Sequence, residues 1–244
     1  YYLMVHSGYK RFIELLFERD AARLLDRTYA VSLSTSIHYF DHTAHNYIRA
    51  VTEDLGMTYL DEYPAEMHDL FKVERRDGLV GWFTSVERIV ERGEHTSRTT
   101  RPVAFRGRRY EPGAPEPAIS SDRTALTPPD GNSGSARVVI VADAAGGNTP
   151  AMVDRFRASY PNAELVDLRA LRFGACLGCL HCGFDNVCAY EGTKDEFVTV
   201  FREKILTADA IVFAATIHDR YLSSVWQRYL ERNFVITHQP RFAG

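Results

Sequence analysis

The chain has 244 residues, 45% hydrophobic and 25% charged, with 29 basic and 32 acidic side chains and a formal net charge of -3. That length supports one large core or two smaller ones, and the near-balance of charge excludes a general nucleic-acid-binding surface. No apolar run reaches the roughly 18 residues of a bilayer span, and no signal-peptide pattern opens the chain, so neither a membrane nor a nucleic acid is expected as a partner.

The first block opens with a predicted helix over 7–25, where Tyr9, Phe12, Ile13, Leu16 and Phe17 recur at helical spacing. Residues 29–34 alternate apolar and polar and read as a strand. A polar, aromatic loop over 35–42 follows. Ala44, Tyr47, Ile48, Val51 and Leu55 mark a second helix, with Asp41 or Thr43 as cap and Gly56 as terminator. A third helix is predicted over 84–91, with Gly93 beyond it. Five arginines without an acid, over 98–109, read as a solvated arm. Residues 107–135 hold five of the ten prolines and four glycines, and read as a linker or surface arm.

The second block has an α/β rhythm. Residues 137–142 form a nearly continuous apolar strand, as expected where helices cover both faces of a parallel sheet. Met152, Val153, Phe156 and Tyr160 form a helical face stopped by Pro161. Strands are predicted over 164–167 and 210–215, with helices around Phe197–Ile205 and Val225–Leu230. Strands joined through helices make right-handed parallel units.

Residues 2–14 echo 221–231, and Lys10, Arg11, Phe12, Ile13 and Glu14 match Gln227, Arg228, Tyr229, Leu230 and Glu231 in character. The first block therefore reads as the later half of a domain (1–106) and the second as the earlier half of its duplicate (136–244). The sequence opens at Tyr1 without a methionine. A section of a longer tandem protein is expected, with a circular permutant as the other reading.

Two motifs carry chemistry. Residues 142–149 join a strand to a helix, and Gly146 and Gly147 allow a sharp turn. Asn148 and Thr149 stand at the helix start, where exposed N–H groups and the helix dipole can hold a phosphate. A plain tight turn is the other reading, and Asp143 would repel an anion unless it faces away or binds the loop backbone. The loop after the later strand, carrying Thr216 and His218, belongs on the same sheet edge. The second motif is Cys176, Cys179, Cys182 and Cys188, separated by two, two and five residues. Crowded cysteines suit a reducing compartment and a cytoplasmic location. Their thiolates suit a [4Fe–4S] cluster first and zinc second, and free, loop-packing cysteines with one redox-active or incidental pair are the other reading. Ser36, His38, Asp41, His42 and His45 invite a catalytic triad or metal site, but a cap and a polar helix face account for them.

Together Val138–Val141, Gly147–Thr149, the four cysteines, Asp195, Glu196 and residues 208–214 resemble the NADPH-dependent FMN reductase and iron–sulfur flavoprotein family, whose fold is flavodoxin-like. The resemblance spans about 136–233, and more weakly 2–60. It implies FMN phosphate held by Gly147, Asn148 and Thr149, next to Gly146 of the same turn, with Thr216 and His218 bordering the flavin ring. It also implies that Thr35, Ser36, His38 and Tyr39 complete a flavin pocket, and that the cysteines hold a [4Fe–4S] cluster. The implied activity is flavin-dependent electron transfer from NADH or NADPH to a small-molecule or protein acceptor, in a homo-oligomer. Asp143, and Thr216-Ile-His-Asp219 where the family carries Thr-Pro-x-Tyr, point instead to a zinc-binding or interaction module that has lost flavin.

Overall fold

A computed structural model describes residues 4–36, 41–103, 136–144 and 146–236. These fall into two units, Tyr1–Phe105 with His218–Tyr221, and Arg106–Ile217 with Leu222–Gly244. The 107–135 linker lies outside the described residues. The architecture is α/β, and each unit carries its own parallel sheet. Among the described residues no helix is long and apolar enough to cross a membrane.

In the first unit, α1 (Ser7–Glu18) buries Lys10, Ile13 and Glu14, and the His6 side chain caps it by accepting the Gly8 N–H at 3.0 Å. The helix expected over 7–25 breaks after Glu18, because Asp20 takes φ +52° and the chain restarts as a single turn, α2 (Ala22–Leu25). Strand β1 (Tyr29–Ser36) runs two residues past its predicted end, so Thr35 and Ser36 lie in the strand and not in a loop. Helix α3 (Asp41–Asp54) packs Tyr47 and Val51 against Met4, Val5 and Ile13. Gly56, at φ +81°, ends the turn after it and leads to β2 (Thr58–Glu66), which pairs parallel with β1. The third helix begins a full three turns before the predicted start, as α4 (Val73–Glu91).

The register between β1 and β2 jumps once. Ala30 lies opposite Tyr59, but Val31 lies opposite Asp61. The extra residue, Leu60, shifts which β2 side chains share a face with Ser32 and Ser34.

In the second unit the sheet order is β4 (Glu164–Asp167), β3 (Val138–Ala142), β5 (Ala210–Ala214), all parallel. All five β3 residues are buried. Val139 and Val141 enter one core with Val166, Phe197, Phe201, Trp226 and Tyr229. Val138, Ile140 and Ala142 enter another with Val153 and Ala163. The period of two thus feeds a core on each face. Helix α5 (Thr149–Ser159) follows β3. Helix α6 (Phe197–Val200) widens into a π turn at Phe201–Ile205, and α7 (Ser224–Arg232) is capped by Ser223. The chain leaves β3, returns on one side as β4 and crosses to the other side as β5. Open parallel sheets form a ligand crevice at such a reversal, which here falls at the carboxyl ends of β3 and β5.

The echoed helix segments bury different side chains. Lys10 and Gln227 are both sealed, as are Glu14 and Glu231, but Phe12 is exposed where Tyr229 is buried.

Candidate functional site

The β3–α5 connection lies at this crevice. Gly146, Gly147 and Asn148 are exposed, and Gly147 sits at φ +67°, where a side chain is strained. Asn148, at the cap position, makes no capping hydrogen bond, and Pro150 occupies the first turn of α5, where its missing N–H costs nothing. The first-turn N–H groups of such a helix have no intrahelical acceptor and carry its positive dipole end. Thr149 Oγ1 lies 3.3 Å from Thr216 Oγ1 and joins this loop to the one after β5.

Asp143 resolves the charge problem that the sequence poses. Its side chain is fully buried. One oxygen accepts the Thr216 N–H at 2.8 Å, and the other accepts the Ser223 hydroxyl. The Asp143 N–H donates to the Ala214 carbonyl at 3.3 Å, and Arg169 Nε donates to the Asp143 carbonyl at 3.2 Å. The carboxylate therefore turns inward and ties the two loops together, leaving the exposed glycines clear of it.

The cysteines lie in a long loop between β4 and α6. Asp195 organises its base by accepting the N–H groups of Gly174 (2.8 Å) and Phe197 (3.2 Å), and both Arg232 terminal nitrogens at 2.8 and 2.9 Å. Both members of this ion pair are almost wholly buried. Burial alone would raise the Asp195 pKa, but the Arg232 hydrogen bonds and the Gly174 and Phe197 N–H groups outweigh it and hold the carboxyl below its usual range. Arg232 also stacks on Tyr190 and Phe197 and reaches Cys188 Sγ at 3.6 Å. All four cysteines are free, with Cys179 exposed and the others half-buried. Burial, then the neighbouring cysteines, push the Cys182 thiol up. Among the described residues, no three His, Cys, Asp or Glu side chains are grouped to hold a metal ion. Cys176, Cys179 and Cys188 all lie close enough to Cys182 to act on its charge.

The remaining predicted residues lie in the first unit. His218 belongs there. Its carbonyl accepts the buried Lys10 ammonium at 2.8 Å, and Arg220 two residues on pairs with Asp54. His218 Nε2 is buried without a hydrogen-bond partner among the described residues. Thr35 is exposed, and Ser36 donates to Asp41 at 3.4 Å. His38 and Tyr39 lie outside the described residues.

Sequence reasoning missed a polar chain in the same unit. His45, only 1% exposed, lies with Nε2 at 2.8 Å from Ser34 Oγ and Nδ1 at 2.5 Å from Ser32 Oγ. Ser32 Oγ meets the Tyr59 hydroxyl at 2.5 Å, and that hydroxyl donates to Glu62 at 3.3 Å. Arg49 lies over the Tyr59 ring and 3.9 Å from Glu62. Burial pushes the Tyr59 phenol up to about 12, so it stays protonated at neutral pH. His45 thus pairs with serines of β1 and not with Asp41. No family model, curated protein or solved structure matches this chain.

Proposed function

We propose that the second unit is a flavodoxin-like domain that binds FMN and serves as a flavin oxidoreductase, with NADH or NADPH as electron donor. One observation carries this reading. The exposed Gly146–Asn148 turn lies at the crevice where the strand order reverses, and the nearby carboxylate, Asp143, is turned inward. Such crevices are where open parallel sheets take ligands, and a helix N-terminus there suits a phosphate.

Gly146, Gly147, Asn148 and Thr149 would hold the phosphate, the glycines letting the backbone approach it closely. Thr216, fixed by Asp143 and in contact with Thr149, would set the second wall of the crevice. When bound, the flavin would supply the redox chemistry, taking hydride from reduced nicotinamide and passing electrons to an acceptor. The protein's part is to orient the ring and exclude water, so no acid or base is needed by default. The cysteine loop is pinned by Arg232 and Asp195, and Cys176, Cys179, Cys182 and Cys188 would be the thiols to hold a [4Fe–4S] cluster or zinc.

The test is reconstitution. Protein purified without oxygen is incubated with FMN, desalted and mixed with NADPH or NADH. Retention of flavin in about equal proportion to protein, and bleaching of its long-wavelength band on adding nicotinamide, are expected. Protein that passes through desalting colourless, under conditions where it remains folded, would overturn the proposal.

A further inference from the structure

The polar chain in the first unit has a direction, set by counting protons. A carboxylate cannot donate, so the Tyr59 O–H points to Glu62. The Tyr59 oxygen must then accept from Ser32, whose single proton is used in that bond. Ser32 can therefore only accept from His45, which fixes the neutral imidazole proton on Nδ1. The lone pair of Nε2 is left facing Ser34 Oγ at 2.8 Å and accepts its hydroxyl proton. A serine hydroxyl donating to an imidazole whose other nitrogen is held by an orienting acceptor is the arrangement of an activated nucleophile.

Three placements fit that role. The middle of the chain, Ser32, His45 and Tyr59, is buried, but Ser34 at one end is partly exposed. Ser34 stands two residues before the carboxyl end of a parallel strand, the edge at which such sheets take ligands. The register jump at Leu60 also matters. It puts Tyr59 and Glu62, three residues apart, on the face shared by Ser32 and Ser34, which an unbroken strand would not do.

We infer that Ser34 is a nucleophile with His45 as its general base, acting on uncharged carboxylic esters. Ser36, on the same strand face, is bonded to Asp41, whose charge disfavours an anionic acyl donor. Ser34 Oγ attacks the ester carbonyl and forms the new C–O bond while its proton passes to His45 Nε2. The tetrahedral adduct collapses, the bond to the alkoxy group breaks, and that group takes the proton from Nε2 and leaves as an alcohol. Water, deprotonated by the same nitrogen, then releases the carboxylic acid and restores Ser34. The positive imidazolium formed in each step is stabilised through Ser32 and Tyr59 by Glu62, so these three are positioning residues.

This inference does not depend on flavin binding, and its test uses the full chain without FMN. The protein is treated with a fluorophosphonate probe and mapped by mass spectrometry, and p-nitrophenyl acetate hydrolysis is followed in parallel. Label on Ser34 is expected. Hydrolysis should fall by at least about a hundredfold in Ser34→Ala and His45→Gln, the lower end of what a positioned base contributes, and stay unchanged in Ser85→Ala on exposed α4. Because His45 is buried and its replacement can unfold the unit, the tautomer is read in the unmodified protein by two-bond 15N–1H correlation. A proton on Nδ1 is expected. A proton on Nε2, no label, or label on another serine would each overturn the inference.

Discussion

Replacing Arg232 with methionine strips one partner from the buried ion pair that anchors the cysteine loop. Arg232→Met removes two charge-assisted bonds to Asp195, one to the Gly174 carbonyl and the stack on Tyr190. Loss of one member of a buried pair costs about 3–5 kcal/mol, chiefly because the other charge is left uncompensated. Asp195 keeps the Gly174 and Phe197 N–H groups, and Arg232 Nε already lacks a partner among the described residues. Both facts place the cost at the low end, about 3 kcal/mol. For a unit of 135 residues this lowers the melting temperature by roughly 10–15 °C. Urea and thermal unfolding followed by circular dichroism measure it. Adding Asp195→Asn removes the orphaned charge and should return at least half of the loss. A cost below about 1 kcal/mol, the scale of an exposed pair, or a double variant no better than the single one, would refute the assignment of this pair as the loop's anchor.

Acid should act through the same carboxyl. The folded pKa of Asp195 lies below its unfolded value, so its stabilisation is complete above that unfolded value, about 3.9, and is lost as pH falls through the folded value. The stability gap between the unmodified protein and Arg232→Met should therefore narrow below about pH 4 in pH-dependent urea unfolding. Asp143→Ala leaves the Thr216 N–H and Ser223 hydroxyl without their acceptor, and should cost about 2–4 kcal/mol in the same assay while weakening FMN retention. Gly147→Ala meets no steric neighbour but forces a side chain into φ +67°, a cost of about 1–2 kcal/mol. Gln227→Met replaces a buried amide with no partner among the described residues and should raise stability by up to about 1 kcal/mol, read as an increased melting temperature.

Much of the second unit was legible from local pattern. The run Val138–Ala142 reads as a doubly covered strand because all five residues are apolar, and all five are buried. The first unit was harder to read for physical reasons. Strand β2 carries Asp61, Glu62, Pro64 and Glu66, and a register jump breaks its alternation, so neither propensity nor period marks it. Strand β1 inverts the usual code. Ser32 is buried and Val31 and Leu33 are exposed, because the buried face is built on hydrogen bonds to His45. A sequence reader assigns those serines to solvent and His45 to a polar helix face, and the chain linking them disappears. The early start of α4 was hidden by Arg75, Arg76, Asp77 and Gly78, a polar opening turn with no apolar period. At the candidate site the glycine turn was visible in sequence, but the role of Asp143 was not. Only the fold shows its carboxylate turned to Thr216 and Ser223, partners more than seventy residues away.

Comparison of FMN with riboflavin, which lacks only the phosphate, isolates the grip assigned to the Gly146–Thr149 turn. Each is titrated against the full chain by quenching of flavin fluorescence. FMN should bind at least about a hundredfold more tightly, since a phosphate held by several charge-assisted bonds is worth a few kcal/mol, and Gly147→Val should abolish most of that preference. Equal affinity for the two flavins, or a preference untouched by the substitution, would contradict a phosphate site at this turn.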